Sequence, residues 1–387
     1  MTELSNTASA TGPARPKRIL LLMATAGGGH KSAALSLAEA LTARYGQGII
    51  IDMVDVLKEY APQPFDRMPE AYQLMIKSPT AWKSFYELGD GVRRSKMINS
   101  SLALYFRRQS ERLLDNHPAD LIISTYHFAN SPILETLHRR QAKTAFVTVV
   151  TDLVTAPPIW FDAKTTLCIT PTQFTADLAL KSGLEPSTIK VIGLPVSGKF
   201  GPPTRPKSGL KAALGWNPQR PAIIAMAGGE GIGSLGQIAD VLTTLDATVA
   251  IITGKNTHLL DKLQASGAPD NLKPYGFIHN IHELMQAADL VVTKAGPGTI
   301  MEALNTHLPL VIYARLSGQE DGNVTFVTDN GAGIWQPKIS ALAATIEAIL
   351  DEPGALQTMA SAAAALAQTG ASEKIAAIIG DLLDDQP

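Results

Sequence analysis

Ile19-Leu-Leu-Leu-Met-Ala-Thr-Ala-Gly-Gly-Gly-His30, followed by the Ala/Leu-rich run Ser32 to Ala43, decides the fold class. An apolar run that ends in glycines and passes into a helical pattern reads as strand, turn and helix, the opening of a βαβ unit. Gly27, Gly28 and Gly29 let a backbone pass close to a bound group, and the helix start beyond them offers unpaired N–H donors. His30 stands at that turn, where an imidazole can take a proton near neutral pH.

The same alternation continues outward in both halves of the 387-residue chain. In the first half, strands are expected at Arg18–Ala24, Gly48–Val54, Leu121–Thr125, Lys143–Val150, Thr166–Ile169 and Lys190–Ile192, and helices at Lys31–Tyr45, Asn99–Asp115, Ser131–Arg139 and Gln173–Ser182. In the second half, strands are expected at Pro221–Ala227, Ala247–Thr253, Leu272–Tyr275, Leu290–Thr293, Leu310–Ile312 and Gly333–Trp335. Apolar runs alternating with helical patterns are the signature of parallel sheets covered by helices, so the class is α/β with two doubly wound, Rossmann-like domains. A Pro/Gly-rich stretch at 199–209 separates a first domain at 18–198 from a second at 210–370. The amphipathic segment 371–387 is expected to pack back on the first domain, and residues 1–17, rich in Ser, Thr, Ala and Pro, read as a disordered tail rather than a signal peptide.

Composition narrows the function. A formal net charge of -2 gives no global reason to expect nucleic acid. The single cysteine, Cys168, excludes an internal disulfide and any multi-cysteine metal site, and favours a reducing compartment or indifference to redox state. No window is long and apolar enough to span a bilayer, so any membrane contact is peripheral. The segment 57–112 exceeds a normal crossover and mixes Phe65, Trp82, Tyr105 and Phe106 with Arg93, Arg94 and other cations. It reads either as a surface that meets anionic lipid headgroups or as a helical insertion with its own aromatic core.

Three stretches of the second half carry chemistry. Ala227-Gly-Gly-Glu-Gly-Ile-Gly-Ser-Leu-Gly236 has glycines at dinucleotide spacing, and Gly228 and Gly229 permit close approach of a ligand. The next strand, however, ends in Ile251-Ile-Thr-Gly-Lys255 without the acid a dinucleotide's ribose requires, which leaves a nicotinamide or flavin enzyme a poor alternative. Val291-Val-Thr-Lys-Ala-Gly-Pro-Gly-Thr-Ile-Met-Glu302 delivers a strand through Gly296, Pro297 and Gly298 into a helix, a cradle suited to a diphosphate. Thr299 adds a hydroxyl donor, Lys294 a charge, and Glu302 an acceptor for a ribose diol. On the loop Arg315–Asn323, Gln319, Glu320 and Asn323 suit a polyhydroxylated ligand. Phe277 and the Ile278 backbone are candidates to stack on and read a planar base, with a core aromatic as the equal alternative.

In the first half, Val149-Val-Thr-Asp-Leu153 ends a strand with Asp152, able to orient His30 or bind substrate, and Trp160 offers an amphipathic wall for a lipid or sugar acceptor. A capping Asp and a packing Trp are the alternatives. No metal-ligand set is complete, and His127 reads as structural or exposed.

Together, Gly27-Gly-Gly-His30, Val150-Thr-Asp-Leu153 with Trp160, Gly193-Leu-Pro-Val196, Lys294-Ala-Gly-Pro-Gly-Thr-Ile300 with Glu302, and Gly318-Gln-Glu320 with Asn323 resemble the monogalactosyldiacylglycerol synthase and processive diacylglycerol glucosyltransferase group of glycosyltransferase family 28. The resemblance implies a GT-B fold, with two domains facing a cleft. It implies an inverting, metal-independent transfer of a hexose from UDP-galactose or UDP-glucose to diacylglycerol. No cofactor is implied beyond the donor. His30 then resembles the general base, Gly28 and Gly29 let the reactants approach, and the diphosphate falls at Gly296–Thr299. Gln319, Glu320 and Asn323 hold the sugar. The group's membrane-facing insertion corresponds to 57–112, which implies an anionic lipid surface as partner and a peripheral position on the cytoplasmic face of a membrane. A soluble-acceptor transferase or epimerase on the same fold, or a non-catalytic nucleotide-sugar binder, are the competing readings.

Overall fold

The computed structural model describes residues 15–25, 28–75, 91–227, 234–265, 267 and 269–384. Gly27, Trp82, Gly228 and Gly229 lie outside the described residues. Among the described residues, twelve strands form two parallel six-stranded sheets. In the first, β1 (Lys17–Met23), β2 (Ile49–Asp55), β3 (Leu121–Ser124), β4 (Ala145–Val149), β5 (Leu167–Thr170) and β6 (Ile189–Val191) run in the order β2-β1-β3-β4-β5-β6. In the second, β7 (Ala222–Met226), β8 (Thr248–Ile252), β9 (Leu272–Tyr275), β10 (Leu290–Lys294), β11 (Leu310–Ala314) and β12 (Gly333–Trp335) run β12-β11-β10-β7-β8-β9. That is the dinucleotide-fold order, whereas the first sheet has the shorter 2-1-3 turn at one edge. Both are doubly wound, and the fold is GT-B.

The strands read as unbroken apolar runs because helices cover both faces of each sheet. Leu20, Leu21 and Leu22 are each 0% exposed, so alternate residues of one strand serve two separate cores. Each such leucine contributes about 2 kcal/mol of transfer free energy. Topology then places the sites, since ligands in open α/β sheets bind beyond the carboxyl ends of strands where the order reverses. The first sheet reverses between β1 and β3, and the second between β7 and β10. His30 follows β1 and the Gly296 turn follows β10.

Three details differ from the sequence expectation. The first helix begins at Gly28 rather than Lys31, so His30 sits inside its first turn. The helix expected at Ser131–Arg139 begins at His127. The helix expected over Asn99–Asp115 is two, Val92–Tyr105 and Arg107–Asn116, bent at Phe106. The ring of Phe106 packs against those of Phe65 and Tyr105 at centroid distances of 5.1 and 5.8 Å, which holds the bend.

The chain passes between the domains twice. After β6 it crosses through Leu194 and Val196, and it returns at Gln368 into a helix, Ala371–Asp384, that packs on the helix Gly28–Tyr45. Ile375, Ala376, Ile379 and Leu383 complete the first domain's core beside Leu37 and Leu41. Gln368 ties the two crossings together: Leu194 N donates to its Oε1 at 3.0 Å, and its Nε2 donates to the Pro171 carbonyl at 2.6 Å.

Candidate active site

His30 is half-buried at the start of its helix, and its ring is fixed by two residues from other strand ends. Nδ1 lies 2.8 Å from the Thr125 carbonyl and 2.9 Å from Thr151 Oγ1. A carbonyl only accepts, so Nδ1 carries the proton and Nε2 keeps its lone pair. Among the described residues Nε2 has no hydrogen-bond partner. Burial lowers the imidazole's pKa, opposed by the Asp152 charge and the Thr125 carbonyl, so the ring is a neutral base at pH 7. Tyr126 and His127 pack on the ring at 5.1 and 5.9 Å, and Trp160 at 6.0 Å.

Asp152 does not bond to His30. Its Oδ2 accepts from Trp160 Nε1 at 2.6 Å, and its Oδ1 accepts from Gln319 Nε2, of the second domain, at 3.0 Å. Burial pushes its pKa up, and the two donors and His30 hold it back. Orientation of the imidazole therefore belongs to Thr125 and Thr151, and Asp152 acts on it only through space. Trp160 is corrected as well: its side chain is 0% exposed, a floor beneath His30 and not a wall open to an acceptor. The sequence left His127 as structural or exposed, and the structure packs it on Trp160 at 5.1 Å with burial holding its pKa well below the ordinary value.

Opposite this cluster lies the turn after β10. A register shift against β11 between Thr293 and Lys294 bends the strand end as it enters Ala295 and Gly296. The helix runs Pro297–Asn305 with Gly296 as N-cap, and its first internal bond is Ile300 N to Gly296 O at 3.0 Å. Proline at the first position has no N–H, so the amides of Gly298 and Thr299 point outward as the free donors of the helix end. Glu320, 9% exposed, reaches toward this turn, its Oε1 standing 4.0 Å from where a Cβ on Gly296 would lie. It accepts from Leu316 N at 2.7 Å, and burial, only partly countered by Lys294, pushes its pKa up to about 7.

Gln319 and Asn323 share one property. Gln319 Nε2 is committed to Asp152 and Asn323 Nδ2 to the Ala295 carbonyl at 2.9 Å, which fixes both amide orientations. Their oxygens, Gln319 Oε1 and Asn323 Oδ1, are buried without partners. A buried acceptor left unpaired costs on the order of 1–3 kcal/mol, so both are prepared to accept from a ligand's hydroxyls.

Glu302, one turn into the cradle helix, is half-buried, and burial alone pushes its pKa up to about 7. The folded state thus keeps a proton there between about pH 4.5 and 7 that the unfolded chain has lost, so stability falls as pH rises through that window. Glu302→Gln is expected to stabilise the protein by on the order of 2 kcal/mol at pH 8, roughly 4 °C in Tm, with little change at pH 4.5. Thermal scans at the two pH values check it.

Phe277 is 60% exposed at the end of β9, edge-on to His279 at 5.2 Å, with Ile278 half-buried beneath it. Gly28 and Gly29 have open space where a Cβ would be. Phe65 is half-buried, in a local cluster with Phe106 and Tyr105. Arg93 and Arg94 are exposed on the helix Val92–Tyr105. The same helix exposes Met97 and Leu104, at 71% and 75%, which sequence reasoning did not single out because neither is aromatic or charged. Among the described residues no helix is long and apolar enough to cross a membrane.

Comparison with known proteins places this geometry. A spinach chloroplastic monogalactosyldiacylglycerol synthase is 35% identical over 87% of this chain and 67% of its own length. An Arabidopsis thaliana monogalactosyldiacylglycerol synthase 1 is 36% identical over 82% and 62%. The chain thus spans about two thirds of the length of these relatives. Among solved structures, the calicheamicin glycosyltransferase CalG4 superposes with a TM-score of 0.61 at 15% identity, covering 96% of this chain and 100% of that one, a likeness of fold alone. The model of the glycosyltransferase family 28 C-terminal domain matches residues 235–375, around the helix-end cradle. Residues 30–196, from the histidine to the first domain crossing, match the model of monogalactosyldiacylglycerol synthase, and the chain belongs to that family.

Proposed function

We propose that this protein is an inverting, metal-independent glycosyltransferase that moves galactose or glucose from its UDP-sugar to diacylglycerol, acting peripherally at the cytoplasmic face of a membrane. The observation that carries the reading is the pairing of a neutral His30, its Nε2 unoccupied, with an amide-lined helix end on the other domain, the two joined across the gap by Asp152 and Gln319.

In this reading Nε2 takes the proton of the acceptor hydroxyl as that oxygen attacks the anomeric carbon. The bond from that carbon to the diphosphate oxygen breaks on the far face, and one displacement inverts the configuration. Charge that develops on the leaving diphosphate meets the Gly298 and Thr299 amides, the helix end and Lys294, a fixed set of positive partners in the place where other transferases use a divalent ion. Gln319 Oε1, Asn323 Oδ1 and Glu320 accept from the sugar hydroxyls, Glu302 from the ribose, and Phe277 with Ile278 meets the uracil.

The acceptor side rests on the exposed Met97 and Leu104 beside Arg93 and Arg94, which suit an interface of acyl boundary and anionic headgroups. Incubation with UDP-galactose or UDP-glucose and diacylglycerol vesicles containing anionic lipid, in the presence of EDTA, is expected to give a monoglycosyl lipid of inverted anomeric configuration. Turnover only with a soluble acceptor, or only with added metal, overturns the corresponding part.

A further inference from the structure

Gln319 makes one hydrogen bond and leaves one acceptor open. Its Nε2 crosses between the domains to Asp152 Oδ1 at 3.0 Å, while its Oε1 is buried with no partner. The other Asp152 oxygen is held by Trp160, so both carboxylate oxygens accept, the pattern of an ionised group. Asp152 is 5% exposed and acts on His30 through space. The contact is not incidental to loose packing. A Cβ on Gly322 would stand 2.5 Å from Thr155 Oγ1 and 2.7 Å from Val154 Cγ1, and Leu153 is buried among side chains of the second domain.

Resting on the donor and base assignments above, we propose that Gln319 is a positioning residue for the base as well as a ligand for the sugar: one amide accepts a donor hydroxyl at Oε1 and, through Nε2, holds the Asp152 carboxylate beside His30. An amide whose oxygen accepts a hydrogen bond donates more strongly from its nitrogen, because the two bonds polarise each other. Arrival of the sugar therefore strengthens the grip on Asp152, and the negative charge that makes His30 a better base is secured when the donor is in place. The base is therefore strongest in the loaded cleft, which limits idle chemistry with water.

The groups that set the base are few. His30 faces Asp152, the ring of His127, the Thr125 carbonyl and the Thr151 hydroxyl, with Tyr126 and Trp160 as apolar neighbours. Asp152 faces Gln319, Trp160, His30 and the more distant Glu320, itself balanced by Lys294.

The test is a double-mutant cycle on Gln319→Met, which keeps length and packing but removes both polar atoms, and Asp152→Asn. At saturating donor and acceptor, each is expected to lower kcat and to move the acid limb of its pH profile down by about one unit. The double variant is expected to move it no further than Asp152→Asn does. If Gln319→Met raises only the donor KM and leaves the acid limb in place, or if the two shifts add, the proposal is overturned. The His30 imidazole is also titrated by NMR in the wild type and in Gln319→Met, with and without the UDP-sugar. A His30 pKa lowered by the substitution supports the coupling, and an unchanged one overturns it. This readout needs no acceptor and no turnover, so it separates failure of the coupling from failure of the proposed reaction. Should Asp152→Asn not fold, the Gln319→Met profile and titration decide alone.

Discussion

His30→Ala is expected to lower kcat by about 10³-fold while donor affinity stays within a few-fold of the wild type. Its Nε2 lone pair is free beyond β1 at the first sheet's reversal, and the contacts of Nδ1 to Thr125 and Thr151 keep that lone pair available. The helix-end turn proposed to bind the donor is on the other domain and gains nothing from the ring. Steady-state kinetics with calorimetry of UDP binding separates the two effects: kcat collapses and the dissociation constant holds. Residual activity falls off toward acid far less steeply than in the wild type, since the limb below neutrality belongs to protonation of His30, whose pKa burial lowers. Full activity in the variant removes His30 from the mechanism.

The second large effect is expected from a substitution that touches no substrate. Gly322→Ala places a methyl group where Thr155 and Val154 of the other domain already stand, at 2.5 and 2.7 Å. Neither is the far end of a long flexible side chain, so the helix Asp321–Asp329 must withdraw from the loop by several tenths of an ångström or more. That movement lengthens the Gln319–Asp152 contact and draws Glu320 and Asn323 away from His30. A 1 Å displacement of positioned groups costs on the order of 10²-fold in rate, so kcat/KM is expected to fall 10- to 100-fold. The loss of stability is smaller than the loss of rate, because alanine is favoured over glycine within a helix by about 1 kcal/mol, which offsets part of the conflict with Val154 at the edge of the shared core. Kinetics and thermal unfolding measured together check the prediction. A parallel loss of Tm and activity points instead to general unfolding.

The sheets were legible because their strands are buried on both faces, and such burial leaves an unbroken apolar run of the length of one strand, as in Ile19–Leu22 and Leu290–Val292. The helix-end cradle at Gly296–Thr299 was legible for a related reason: glycine, proline and a small polar residue in that order have few other uses after a strand. What escaped is whatever depends on a partner far away in sequence. Asp152 and Gln319 are 167 residues apart, and nothing in either neighbourhood signals that they meet. Trp160 looks amphipathic as a residue type, yet its indole N–H is satisfied by a buried carboxylate, which removes any need for solvent. Likewise the pattern through Leu102–Leu114 continues across Phe106, and only the rings of Phe65 and Tyr105 distinguish a bend from a straight helix.

The helix Ala371–Asp384 sets an order on biosynthesis. Its Ile375, Ile379 and Leu383 fill the core that Leu37 and Leu41 line from the other side, so the domain translated first lacks a wall until residue 383 has left the ribosome. The domain translated second holds both faces of its sheet in residues that end near Ala363. The core of the earlier half therefore cannot be complete before the later half has been made.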